Sequence, residues 1–367
     1  MLITLTWFTC CGGKLRKQYQ TYRTILAARR RFPHVAISIV MSLVLPLLAI
    51  SQQNAPQPLS VPAEFQRDLL PGYDSQAFLR LSDIHVDSAS GEIFVAESGH
   101  NRIMIFDEKG ILRFQFSCTE ALSHPMNVVV DSEGFIYVLG PAGSGRIIYR
   151  YDYDGLPLGA LPIPETIGGE ALDLSSIDMD VRDRIFALDR AGSRILIFTR
   201  EGALDGSFGV ATELDADLRR EMSFGELHIH EDRLYLPMSS MGLVQIYDLH
   251  GRRIRNLGRK GSTPGEMSFP IAVAHDTEGM LLVLDKHRFN VLGFDAAGRF
   301  LGEFGGRGFR SGWFYHPSLL AVDTKDQVYV GQLYENRIQV CGIPEFMTRK
   351  ISTETSAAGE LSPLAGF

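Results

Sequence analysis

The stretch FPIAVAHDTEGMLLVLDKHRFNVLGFDAAGRFLGEFGG, Phe269 to Gly306, holds three alternating apolar runs joined by short turns, then a fourth run and a glycine-rich exit. Its runs are strand-length and rich in β-branched and aromatic residues, which predicts strands. The same sentence recurs outward in both directions. Anchoring each copy on the polar residue that ends its first run gives Asp87, Asp131, Asp180, His230, Asp276 and Asp323, at spacings of 44, 49, 50, 46 and 47. Second runs follow each anchor, from IFVAE at 93 to VYVGQ at 328. Third runs begin at Arg102, Arg146, Arg194, Val244, Val291 and Arg337. Five copies then carry a turn closed by glycine, at Gly110, Gly155, Gly202, Gly251 and Gly298. Asp, which opens four of the five, caps such a turn, and Gly at the fourth position tolerates positive φ.

Four short antiparallel strands at a period in the forties make one blade of a β-propeller. A lone blade cannot cover both apolar faces, whereas six in a ring cover one another. The expected fold is all-β: a six-bladed propeller of four-stranded antiparallel blades over residues 64–345. The chain resembles the NHL-repeat family of six-bladed propellers through NRIMIFDxxG from Asn101, DRAGSRILIF from Asp189 and NRIQV from Asn336. That resemblance covers most of the chain and implies a ring closed by an N-terminal strand. Copy six lacks the closing turn, reading CGIP from Cys341, so FQRDLL (Phe65–Leu70) or Met347–Ile351 must finish it.

Outside the repeats, residues 1–34 carry seven basic side chains and no acid, followed by the apolar run Val35–Ile50 and small residues at Ala49 and Ser51. This pattern predicts an export signal over 1–51, or an uncleaved membrane anchor through 35–50. Residues 52–63 read as a flexible linker and 346–367 as a loose tail. The expected location is extracytoplasmic, periplasmic or secreted. Without its first 51 residues the chain holds 29 Lys and Arg against 43 Asp and Glu, a net of −14, which argues against a nucleic-acid partner. The expected state is a monomeric ring. Cys118 and Cys341 fall in the first and last blades, where a disulfide and two buried thiols are both open readings.

No phosphate-loop, HExxH, GxSxG or CxxC motif is present. Arg102, Arg146, Arg194 and Arg337 recur at one repeat position beside acids such as Glu97 and Asp189, and read as scaffold ion pairs. Deviations from the repeat are more informative. Four and two residues before each anchor, blades one to four place Asp83/His85, Asn127/Val129, Ser176/Asp178 and Glu226/His228, where blades five and six mostly place small residues. The positions three and one before the anchor, His275 among them, are expected to pack between blades. The first strand is innermost, so Asp83, His85, Asn127, Asp178, Glu226 and His228 are expected at one mouth of a central funnel, the loop-face mouth. There they either hold a ligand or satisfy one another and water. Two functions stand. One is an exported binding scaffold whose loop face takes a protein, peptide or glycan. The other follows from the resemblance, since related propellers include lactonase-like hydrolases and lyases with a divalent metal at the funnel. It implies Asp83, His85, Asp178, Glu226 and His228 as ligands of calcium or zinc.

Overall fold

The computed structural model describes residues 61–72, 75–119 and 122–348. The export or anchor segment 1–51, most of the linker and the tail beyond 348 lie outside them. Among the described residues no helix is long and apolar enough to cross a membrane.

Six four-stranded antiparallel sheets follow one another in chain order. Their innermost strands are Leu81–Val86, Asn127–Val130, Leu174–Met179, His228–His230, Pro270–His275 and Pro317–Val322. Blade six takes its outermost strand from the other end of the chain: Glu64–Leu69 pairs antiparallel with Arg337–Gly342. Asp68 there receives Arg337 at 2.6 Å. The helix Ala216–Arg220, between blades three and four, is barely a turn long.

Each pair of neighbouring blades encloses its own apolar cluster. Ile103, Phe116 and Val128 join blades one and two, and Tyr137, Leu139 and Phe198 join two and three. The circle ends with Phe106 and Leu81 of blade one against Tyr329 and Ile338 of blade six. Met347 is fully buried in the cluster between blades five and six. Cys118 and Cys341 are buried free thiols in two different clusters, each pushed up to about 12 by burial. The thiol reading is therefore the one realised.

The anchors earn their repetition at the turn between first and second strands. Asp131 accepts backbone N–H bonds from Glu133 and Phe135 at 3.0 and 2.9 Å, and Asp180, Asp276 and Asp323 do the same in their own turns. The glycine-closed turns are capped in the same way by Asp107, Asp152, Asp248 and Asp295, and glycine adds a second constraint. Gly155 and Gly251 have φ of +76° and +89°, and a Cβ on either would meet the ring of Phe116 or Phe208 of the preceding blade. The arginines brace the opposite end. Arg102 is paired across the second and third strands with the fully buried Glu97, and Arg194 with Asp189 at 2.8 Å. Arg146 instead reaches Asp173 of the next blade at 2.6 Å.

Candidate functional site

A cavity of about 470 Å³ runs along the axis, bordered by the innermost strands of all six blades. It also touches the turns between first and second strands, through Ser88, Ser132, Asp183, Thr277 and Thr324, and at the other end reaches no further than Asp83, Asn127 and, just before blade four's first strand, Glu226 and Leu227. It therefore opens at the hairpin-turn end, opposite the mouth expected from the sequence. Asp83, His85, Asn127, Asp178, Glu226 and His228 all border it. Asn127 is 4% exposed, so it sits deep rather than at a rim.

The carboxylates have structural work. Asp83 accepts the N–H of Ile84 and, across the blade boundary, that of Val128, both at 2.8 Å. Asp178 accepts the N–H of Met179 at 2.8 Å and that of Ile229 in blade four at 2.7 Å. In blade three Ser176 stands where blade one has Asp83, and its hydroxyl accepts the Leu227 N–H at 3.1 Å. These side chains stitch the inner edges of adjacent strands, where no further strand supplies a partner.

The site is also electrostatically loaded. Burial pushes Asp83 up to about 6; its hydrogen bonds from Val128, Asn127 and Ile84 oppose this, and the charge of Asp178 adds to it. Burial and then the charge of Asp83 push Glu226 well above the usual carboxylate range. His85, His230 and His275 are all lowered, first by burial. Burial thus favours the uncharged forms of these acids and imidazoles alike.

Among the described residues, one set of three His, Cys or acid side chains has donor atoms all within 4.8 Å of one another: His228, His230 and His275. Only His228 belongs to the set named from sequence. His230 stands where the other blades have the turn-capping Asp, and blade four manages with a tight turn in which Glu231 takes φ of +54°. Freed from the turn, the His230 ring stacks on His275, centroids 4.0 Å apart and planes 7° apart. His275 packs against blade four as expected, edge-on to Tyr235 at 4.5 Å, but it also borders the cavity beside His228, 5.4 Å between centroids.

This set fits a metal ion in donor type, spacing and unmet bonding. The buried Nε2 of His228 and Nδ1 of His275 have no hydrogen-bond partner. His228 turns its other nitrogen, Nδ1, toward Asp178 at 3.4 Å, the outer carboxylate that commonly orients a ligating imidazole. Three imidazole nitrogen donors suit zinc, whereas calcium takes oxygen donors. The rings now lie stacked, so convergence on one ion requires His230 or His275 to turn about its Cβ–Cγ bond.

Comparison with known proteins bears on the fold. No protein-family profile matches the chain. The Drosophila melanogaster protein brain tumor is 26% identical over 137 residues, a match covering 37% of this chain and 13% of that protein's length. A streptogramin B lyase superposes with a TM-score of 0.53 at 12% identity, covering 77% of this chain and 98% of its own. The Xanthomonas campestris gluconolactonase gives 0.54 at 14% identity over 79% and 99%. An auxiliary nutrient binding protein from Bacteroides thetaiotaomicron gives 0.56 at 12% over 77% and 75%. The shared feature is the propeller; the proteins that share it include enzymes and a binding protein.

Proposed function

We propose that the chain is a metal-dependent hydrolase or lyase acting in the axial cavity on a small polar substrate. The observation that carries this is the three-histidine set with two buried, unpartnered nitrogens. The fold neighbours support the reaction classes without choosing between them. A bound zinc would supply electrophilic polarisation of a substrate oxygen or acidify a water.

This chain's own groups would do the rest. His228, His230 and His275 would hold the ion, with Asp178 orienting His228. Asp83 and Glu226, at the deep end and both raised above the usual carboxylate range by burial, would give and take a proton there. Walls of Ile84, Val128 and Leu227 border the same cavity and limit water around it. The basic–apolar–small N-terminal pattern and the −14 net charge beyond residue 51 support an exported protein.

The test is metal analysis and zinc titration of the purified chain, followed by proton release against a panel of small lactones. Uptake of one zinc per chain with metal-dependent turnover is expected. Failure to retain zinc, with His275→Val leaving all properties unchanged, would leave the histidines as a stacked lining of a wet axis.

A further inference from the structure

The end of the ring opposite the cavity mouth carries an aromatic cluster confined to blades five and six. Phe289 lies in the turn between second and third strands of blade five, and Tyr334 in the equivalent turn of blade six. The connector between these blades brings Phe309, Tyr315 and His316 beside them. Phe309 and Tyr315 have centroids 4.2 Å apart, and His316 meets Tyr315 and Tyr334 edge-on at 4.5 and 4.8 Å. Phe309 and Tyr334 remain 62% and 67% exposed, far more than a core role would leave them.

Backbone conformation marks the cluster independently. In five blades the residue just before the third strand is left-handed: Asn101, Ser193, Gly242, Phe289 and Asn336. Asn and Gly accept that conformation readily, while a bulky aromatic side chain resists it. Blade five nevertheless uses Phe289, at φ of +59°. His316 is also left-handed, at φ of +49°, directly before Pro317, a conformation it shares with Arg80 and His124 at the same repeat position, so Phe289 is the residue that departs from its repeat. Such outliers persist where the surroundings fix them and the site has a use for them. Here the fixing is visible: Phe289 C=O accepts from Gly306 N–H at 2.7 Å, and His316 C=O from Leu333 N–H at 3.2 Å.

Charge adds the chemistry of the partner. The ring-bearing segments 286–289, 306–316 and 333–336 hold Lys286, Arg288, Arg307 and Arg310 against one acid, Glu335, in a strongly acidic protein. Arg288 is committed to Glu303 at 2.7 Å. Lys286, Arg307 and Arg310 make no salt bridge among the described residues, and Arg307 lies over the Phe289 ring at 5.7 Å. Exposed rings offer flat surfaces to the C–H faces of sugar rings without a groove, and guanidinium groups beside them match carboxylates. An extended peptide would need free backbone. Here Gly306, Gly308 and Phe314 already donate their N–H groups within the platform.

We infer that this platform binds an anionic oligosaccharide, its sugar rings stacked on Phe309 and Tyr334 and its carboxylates met by Arg307 and Arg310. The inference is independent of the channel chemistry. The experiment is calorimetric titration of the whole chain with oligogalacturonate. A neutral galactan, poly-glutamate and poly-uridylate serve as comparators. Salt-sensitive binding of oligogalacturonate alone is expected, weakened at least about tenfold in Tyr334→Ala, Phe309→Ala and Arg307→Gln, with unchanged melting temperatures. Equal binding of the galactan would overturn the charge half of the inference. Equal binding of poly-glutamate or poly-uridylate would overturn the sugar half, and no binding at all would overturn both. His275→Val should leave this binding intact; loss of it there would also count against a separate site.

Discussion

The two ends of this ring depart from the repeat in different chemical directions. At the hairpin-turn end, polar and imidazole groups replace the small, apolar or capping residues the repeat provides, and they gather inside a cavity. At the other end, aromatic and cationic groups replace turn residues, and they gather on a surface. Both departures cost something local: blade four gives up the capping Asp at His230, and blade five holds Phe289 left-handed. The lesson is that repeated residues in this chain answer the demands of the scaffold, and the exceptions are where ligands would be met.

That contrast is broken most severely by attacking a repeated residue. Arg102 is nearly buried and paired with the fully buried Glu97, which also accepts from the Leu79 N–H. Arg102→Ala should cost about 3 kcal/mol, because the fully buried Glu97 loses its guanidinium partner and keeps only His100, at 2.9 Å, and the Leu79 N–H. Denaturant unfolding would read it. A loss below about 1 kcal/mol would mean that the repeated arginines are not scaffold.

An exception should behave in the opposite way. His275→Val restores the residue that blades one, two and six carry, as Val86, Val130 and Val322. It should reduce zinc affinity about a hundredfold or more while leaving the melting temperature of the metal-free protein unchanged or slightly raised. Unchanged zinc affinity would remove His275 from the site.

The deep acids give a pH signature. Glu226 is raised in the fold, so its neutral form costs nothing below its unfolded value near 4.5, and stability is lost as pH rises through the folded value. Glu226→Gln should therefore raise the melting temperature by a few °C at pH 8, with the gain vanishing near pH 5. A gain of equal size at both pH values would point to packing instead of charge.

The smallest effect tests the other end. Phe289→Asn restores the turn residue of blades one and six, and should stabilise the chain by about 1 kcal/mol through relief of the left-handed strain. It should weaken oligosaccharide binding in the same protein. Gain of stability without loss of binding would separate the strain from the platform.

The fold was legible because each blade repeats the instructions for its strands and turns; the irregular sixth copy left two candidate closing segments, of which the N-terminal one, Glu64–Leu69, is paired. The cavity was partly legible, since Asp83, Asp178, Glu226 and His228 stand out as polar among small residues. His275 was not, because counting by twos along a strand assigned it to packing. The innermost strands turn an unpaired edge to the axis, so near the mouth both sets of side chains border the cavity: Val86, Met179 and Val322 are only half-buried there. The triad also joins residues at different repeat positions in two blades, which no single register reveals. The aromatic platform was hidden in connectors, which were read only as joints.

The closing strand carries one more consequence, in the time domain. Asp68 and Arg337 stand 269 residues apart, and Glu64–Leu69 has no sheet to join until Arg337–Gly342 has been synthesised. The ring therefore remains an open arc, with one blade edge bare, until almost the whole chain exists. Long-range closure of this kind is slow, and it makes the last step of folding one that a ribosome-tethered or translocating chain cannot finish early. A bare edge held that long is also the place where a second chain could insert its own first strand, so crowding during synthesis would favour strand-exchanged dimers over aggregation of finished rings.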